Sequence, residues 1–221
     1  MIMVIYNSNL TIEELLAENI EIGPEVQIWI NVKIHRGCKI LGDSVVGDNC
    51  EIVNGSLVSN SILDKGVKVL SSYVEDSQIG EKTTVGPFAT IKKGAKIGAE
   101  CRIGNFVEIK NSKLGNNTKV AHLSYIGDSE LGCGCNVGCG VVFCNYNGHL
   151  KQKSIVGNNV FIGSNVNIIA PVNIGDCVYI AAGSTINKDI IDNQFAIARS
   201  KQINKNNFKN PYLEQKNGEN S

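Results

Sequence analysis

The chain has 221 residues, 43% of them apolar, with 21 basic and 21 acidic side chains and a net charge of zero. An even balance with no long basic run argues against nucleic acid or a membrane surface as the main partner, and the apolar share is enough for a packed core. No apolar run approaches the ~20 residues of a membrane span, and the opening MIMVIYNSNLTIEELLAEN lacks both the basic start and the apolar run of a signal peptide. A soluble, cytoplasmic protein is expected.

Residues 1–21 read as a cap segment. Thr11 followed by Glu14, ahead of Leu15, Leu16 and Ala17, is a capping-box pattern. It predicts a short helix covering the open edge of the structure behind it. From Ile22 onward the sequence has a beat. Ile22, Ile28, Ile34, Ile40, Val46, Ile52 and Val58 fall six apart. After a less regular stretch from Leu57 to Val74, the series resumes with Ile79, Val85, Ile91, Ile97, Ile103 and Ile109. Leu114, Val120, Ile126, Leu131, Val137 and Phe143 continue it with two steps of five, and Val156, Ile162, Ile168, Ile174, Ile180 and Ile186 close it.

A six-residue period marks a parallel β-helix. One aliphatic side chain per side faces the axis, and a Gly, Asn or Asp turn makes each corner, where the backbone is often left-handed. Three sides make a coil, so residues 22–190 predict roughly nine coils stacked at the ~4.8 Å strand spacing. A β-sandwich would place turn signals every 8–12 residues, which a strict six does not fit. The beat breaks between Phe143 and Val156, where CNYNGHLKQKS must leave the coil as a loop carrying Tyr146 and Lys151. Loops thrown from rigid scaffolds are where function concentrates. After Asp189 the repeat fails, Ala196–Arg199 reads as a last strand, and residues 200–221 form a polar tail. The domain is therefore expected over 22–199.

Of eight cysteines, only Cys133, Cys135 and Cys139 are close in sequence, and their spacing is not a CxxC pair. Small thiols inside a tight coil are the preferred reading for the group, with Cys38, Cys50, Cys101, Cys144 and Cys177 as further core or surface thiols. No metal is expected. His35, His122 and His149 are scattered, which sets aside a three-histidine zinc site on the same fold.

The stretch from Asn105 to Lys151 concentrates the polar residues suited to chemistry: one well-placed histidine, His122, with Glu108, Lys110, Tyr125, Asn136, Asn145, Tyr146 and Lys151. Here the sequence resembles a known family. VGPFA from Val85, GNFVEIKNSKLG, AHLSYIGDSELG, NVGCG, CNYNG, FIGSNVNIIAPVNIG and YIAAGSTINKD are similar to the acetyltransferase half of the bifunctional N-acetylglucosamine-1-phosphate uridyltransferase/glucosamine-1-phosphate acetyltransferase family. The match covers about residues 79–208; the upstream coils match in periodicity only.

The resemblance implies a left-handed parallel β-helix, an exception to the usual right-handed crossover, and a homotrimer with sites between subunits. It implies acetyl transfer from acetyl-CoA to the amine of glucosamine 1-phosphate, with His122 as general base and Glu108 orienting that histidine or the amine. Histidine titrates near neutral pH, which suits the task. By position, Lys92, Lys110, Tyr125, Asn136 and Lys151 match sugar-phosphate contacts, and Asn145 matches a contact near the amine. Cys139, Tyr146, Ser164, Ala182 and Arg199 match the acetyl-CoA groove. Three positions depart from the family. Lys92 stands where arginine is usual, replacing a planar fork with a point charge; Cys139 replaces alanine; and Asn147 replaces aspartate in the loop. Nothing in residues 1–78 resembles the family's nucleotidyltransferase domain, so uridylyl transfer is not expected of this chain. The competing readings are an acetyltransferase for another amino sugar, prompted by Lys92, and a β-helical scaffold without activity.

Overall fold

The computed structural model describes residues 19–209. The predicted helix around Thr11–Ala17 lies outside the described residues. Within them the chain is a parallel β-helix with no helical segment, built from 29 short strands in three sheets of ten, nine and ten. As far as the strand Thr185–Ile186, each sheet takes every third strand in order, so the chain visits the first, second and third sheets in turn and then starts the next coil. Ten rungs on two of the sheets exceed the roughly nine coils expected at about eighteen residues per coil, because sides of five shorten some coils, as between Val58 and Val74 and between Ile109 and Ile126, and the strand Phe195–Ala196 adds a last rung to the third sheet by pairing with Tyr179–Ile180.

The six-residue beat is the interior. In the first sheet Ile91 pairs with Ile109 and Ile109 with Ile126; in the third, Ile103 pairs with Val120 and Val120 with Val137. Ile91, Ile103, Ile109, Val120 and Ile126 are fully buried. Burial of each such side chain contributes about 2 kcal/mol, and a one-residue slip would turn the whole row outward.

A second interior position sits at each corner and, after Ile20 at the first, is filled by a small or β-branched residue no larger than valine. Cys38, Cys50, Cys101 and Cys135 occupy it in some coils, and Ser61, Ser77, Ala95, Val107, Ser112 and Thr118 in others, all buried. Those four cysteines are therefore core residues; of the group at 133, 135 and 139 expected inside the coil only Cys135 is buried, because Cys133 falls on an outward turn position and is exposed and Cys139 is half-buried, while Cys177 is also exposed.

The irregular stretch from Leu57 to Val74 does not leave the coil. Val58, Leu63, Val69, Val74 and Ile79 remain buried and in register, with sides shortened to five residues. Every short side is made the same way. A single turn residue at positive φ (Asn60, Ser71, Asp76, Asn111 or Asp128, φ 40–49°) precedes a buried serine. The serine hydroxyl donates to the carbonyl two residues back, as Ser77 does to Glu75 at 2.6 Å and Ser129 to Gly127 at 2.8 Å. Asn and Asp tolerate left-handed backbone, and serine supplies a local bond that closes the tighter corner. The same hydroxyls accept backbone N–H groups from the next coil, as Ser61 does from Ser77 and Ser112 from Ser129. Among the described residues, Ser154, where the loop rejoins the coil, is a buried serine whose hydroxyl has no partner.

Burial pushes the interior thiols up, and that of Cys50 to about 11 from an ordinary 9.0. Because the folded thiol holds its proton longer than the unfolded one, its contribution to stability is complete below pH 9.0 and is lost as pH rises towards about 11. In the native protein at pH 8, a thiol-specific alkylating reagent should label Cys133 and Cys177 rapidly and leave Cys38, Cys50, Cys101 and Cys135 unlabelled until denaturant is added. Mass spectrometry of the labelled peptides checks this; equal labelling of Cys50 and Cys177 would contradict the buried corner position.

Candidate active site

Parallel stacking converts sequence spacing into columns. At the corner between the third and first sheets, the residue two positions past the interior aliphatic is Asn105, His122, Cys139, Ser164 and Ala182 in successive coils. The register pair Asn105–His122 and the backbone bonds from Asn165 to Cys139 and from Gly183 to Ser164 fix this column. Arg199, just beyond the last strand, donates from Nη1 to the Ala182 carbonyl at 2.8 Å, so it caps the column's far end. The predicted base and four of the five residues predicted to line the acetyl-CoA groove thus share one edge. Successive members are about 4.8 Å apart.

His122 ends the strand Lys119–His122 and is exposed. Its Nδ1 lies 3.2 Å from Oδ1 of Asn105 on the coil before it. An amide oxygen only accepts, so this contact places the proton on Nδ1 and leaves the Nε2 lone pair free to take a proton. Asn105 is a site residue that sequence reasoning passed over; the signal was present, since one coil before His122 is a step of seventeen residues.

The adjoining outer face of the first sheet carries the cations. Lys92 pairs in register with Lys110, and Glu108 with Tyr125. The Glu108 carboxylate is engaged by Lys92 Nζ at 2.9 Å, while the ring of His122 is held by Asn105. Lys110 is crowded by like charge. Lys151 first, then Lys93, and more weakly Lys92, hold its ammonium below the usual lysine range. A half-buried ammonium with such neighbours gains most from a bound anion.

Tyr125 Oη lies 3.5 Å from Nδ2 of Asn145, which is buried at the root of the loop. Gly127 makes room for this pair, because a Cβ there would sit 2.4 Å from Tyr125 Oη and 2.7 Å from Asn145 Nδ2. The loop folds back on itself through an antiparallel bridge between Tyr146 and Lys151. The Asn147 side-chain oxygen accepts the N–H groups of His149 and Leu150 at 3.0 and 2.9 Å, a role the usual aspartate would also fill. Tyr146 is exposed, with its hydroxyl on the Gly148 carbonyl at 2.7 Å.

Asn136 is the predicted residue that the single chain does not bring to this face. It lies on the third sheet between Lys119 and Phe161, whereas Lys92, Lys110 and Tyr125 are on the first. A cleft of about 320 Å³ opens on the second-sheet side of the loop, lined by residues including Asn111, Asp128, Lys151 and Lys153, but His122 does not line it. Among the described residues, no three His, Cys, Asp or Glu side chains converge so as to hold a metal ion.

The fold and the repeat define a hexapeptide-repeat β-helix. Residues 153–188 match the family described as bacterial transferase hexapeptide (six repeats), and residues 22–95 match the GMPPB C-terminal domain. The chain is homologous to part of the proteins named bifunctional protein GlmU, as the motif resemblance implied. It is 52% identical over 188 residues to that of Clostridium botulinum (strain 657 / Type Ba4), covering 85% of this chain and 41% of the relative. It is 48% identical over 187 residues to that of Clostridium novyi (strain NT), again covering 85% and 41%. The chain therefore spans about two fifths of the length of these relatives. Among solved structures, LpxA, a UDP-N-acetylglucosamine acyltransferase from Bacteroides fragilis, is similar at 22% identity and a TM-score of 0.46, over 72% of this chain and 66% of that one. That likeness is too slight to carry an argument.

Asn105 should govern the tautomer of His122. In ¹⁵N-resolved spectra of the neutral ring, the native protein is expected to show the Nδ1–H form. Asn105→Ala should shift the population towards Nε2–H without unfolding the coil. An unchanged tautomer in the variant would show that the Asn105 contact does not orient the ring.

Proposed function

We propose that the chain is an acetyl-CoA-dependent N-acetyltransferase whose acceptor is glucosamine 1-phosphate. The observation that carries the reading is the meeting of two features on one edge: a histidine with a free Nε2 at the head of a column of small residues, and a lysine cluster on the face beside it. The homology to proteins named GlmU supports the reading, and so does the demand of the chemistry for a base, an anion site and a slot for a thioester.

Acetyl-CoA lies along the Cys139–Ser164–Ala182 edge, with Arg199 and Tyr146 at its flanks. None of Cys139, Ser164 and Ala182 carries a side chain large enough to obstruct the pantetheine arm. The phosphate of the sugar is met by Lys110 and Lys151, and by Lys92, whose charge Glu108 partly offsets. The amine attacks the thioester carbonyl directly. A C–N bond forms, His122 Nε2 takes the proton from nitrogen, the C–S bond breaks, and the same proton can leave on the coenzyme thiolate. No acyl-enzyme forms. Positioning the two substrates removes the entropic cost of their encounter, and general base catalysis contributes about 10²–10⁴-fold.

The active form is a homotrimer. Asn136 sits on a different sheet from the lysines, so a site that uses all of them draws Asn136 from a second copy. The column of Asn136 continues outward as Phe161, Tyr179 and Phe195, all exposed, with the first two rings stacked at 4.6 Å and the last two tilted at 5.8 Å. Phe88 and Phe106 stack at 5.6 Å beside Leu123 at the His122 corner, also exposed. Solvated apolar columns of this kind are what subunit contacts cover.

The Lys92–Glu108 pair favours one second reading, an acetyltransferase for a different amino sugar, because a lysine already partnered grips phosphate less firmly than a free arginine. Coenzyme thiol release with a panel of amino-sugar phosphates separates the two. Glucosamine 1-phosphate is expected to be the preferred acceptor, and His122→Ala should lower its turnover by about 10²-fold or more with the trimer intact. Near-normal turnover by that variant would remove His122 from the mechanism.

A further inference from the structure

The loop that carries Tyr146 and Lys151 leaves the coil and rejoins it at one residue. Asp128 is the single turn residue between the strands Tyr125–Gly127 and Ser129–Leu131, with φ 48°. Its carboxylate accepts from two side-chain amides, Asn145 Nδ2 on one oxygen and Asn111 Nδ2 on the other. Its carbonyl accepts the N–H of Ser154 at 3.4 Å. Asn145 is where the chain departs, and Ser154 begins the strand Ser154–Val156 into which it returns.

We propose that Asp128 is a positioning residue: its carboxylate fixes the orientation of the Asn145 amide, and its carbonyl holds the returning end of the loop. This rests on the site assigned above. A carboxylate only accepts, so Asn145 can offer it only the NH₂ group. The other N–H of that group faces Tyr125 Oη at 3.5 Å. With both N–H groups committed, Oδ1 of Asn145 is the atom left for a ligand, and it suits the N–H of an amine or a newly formed amide. Reversing the amide would aim its oxygen at a carboxylate in a site where Asn145 is only 8% exposed, and burial of such a mismatch is unfavourable. Asp128 thus selects an acceptor, rather than a donor, for display beside the substrate nitrogen.

The bland role for such an aspartate is to make the turn, and the molecule contains its own control. Asp76 has the same φ of 48°, is likewise followed by a buried serine, Ser77, and accepts from Asn60 Nδ2 at 3.3 Å. It makes the same corner in an earlier coil with no loop attached.

The test compares Asp128→Ala, Asp128→Asn and Asp76→Ala in the full chain. Backbone amide exchange of residues 146–152 is measured in the unliganded protein, and steady-state kinetics with acetyl-CoA and glucosamine 1-phosphate. Asp128→Ala should speed exchange in the loop by about tenfold or more while the sheets stay protected. Asp128→Asn, which keeps the backbone bond but can donate to a reversed Asn145, should leave loop exchange near normal. It should lower kcat by about tenfold with the KM for acetyl-CoA unmoved. Asp76→Ala should destabilise the coil comparably and change neither readout. The proposal is overturned if Asp128→Ala leaves loop exchange as it was, if Asp128→Asn leaves kcat as it was, or if Asp76→Ala reproduces the effects. If the native chain does not acetylate the sugar, that failure belongs to the proposed function; Asp128 is then judged on loop exchange, and on the kcat of Asp128→Asn with the acceptor amine the panel identifies. If Asp128→Ala does not fold, Asp128→Asn decides.

Discussion

The register between coils is the constraint on which everything else rests. Interior aliphatics such as Ile103, Val120 and Val137 stack directly over one another and leave no alternative pairing that keeps them buried. Once that row is set, every outward residue is set as well. The Asn105–His122–Cys139–Ser164–Ala182 edge and the Lys92–Lys110 pair are consequences of an apolar ladder that takes no part in chemistry itself. A rigid scaffold of this kind holds side chains from different coils at fixed separations, which a loop-built site does less well.

Within that frame the corners carry the variation. Six-residue sides use two turn residues, and five-residue sides use one turn residue at positive φ followed by a serine that bonds to its own backbone. Two of the shortened corners, at Asn111 and Asp128, lie beside the lysine face; the side chain of Asn111 donates to Asp128, and that of Asp128 accepts from Asn145 at the root of the loop. The device that closes a tight turn elsewhere in the molecule becomes, at Asp128, a fastening for the part of the chain that moves furthest from the axis.

Most of this was legible in the sequence because the fold is nearly one-dimensional. The period of six reports the interior without knowledge of distant contacts, and the thirteen residues from Phe143 to Val156 announce the loop by arithmetic. His122 stood out as the histidine within the motifs, and the structure sets it on an edge shared with Cys139, Ser164 and Ala182. Asn105 was legible as a partner of His122 only through the register, a step of seventeen residues, since an asparagine beside a turn is ordinarily a turn former. Asp128 was hidden for the same reason. The interval from Leu57 to Val74 looked irregular because a beat counted in sixes misses sides of five, although its residues are as buried as the rest. Glu108 illustrates the reverse case. Its place on the face beside Tyr125 was expected, but its carboxylate in the unliganded chain is held by Lys92, a pairing that strand spacing alone does not reveal.

In the proposed reaction one edge of the prism is the coenzyme track, with His122 at its head. The most direct measurement is a structure of the protein with acetyl-CoA bound. The pantetheine arm should run along Cys139, Ser164 and Ala182, with the thioester within about one coil spacing, ~4.8 Å, of His122 and the nucleotide end towards Arg199. Coenzyme bound in the cleft beside Lys153, or along the outer face of the second sheet, would contradict the account.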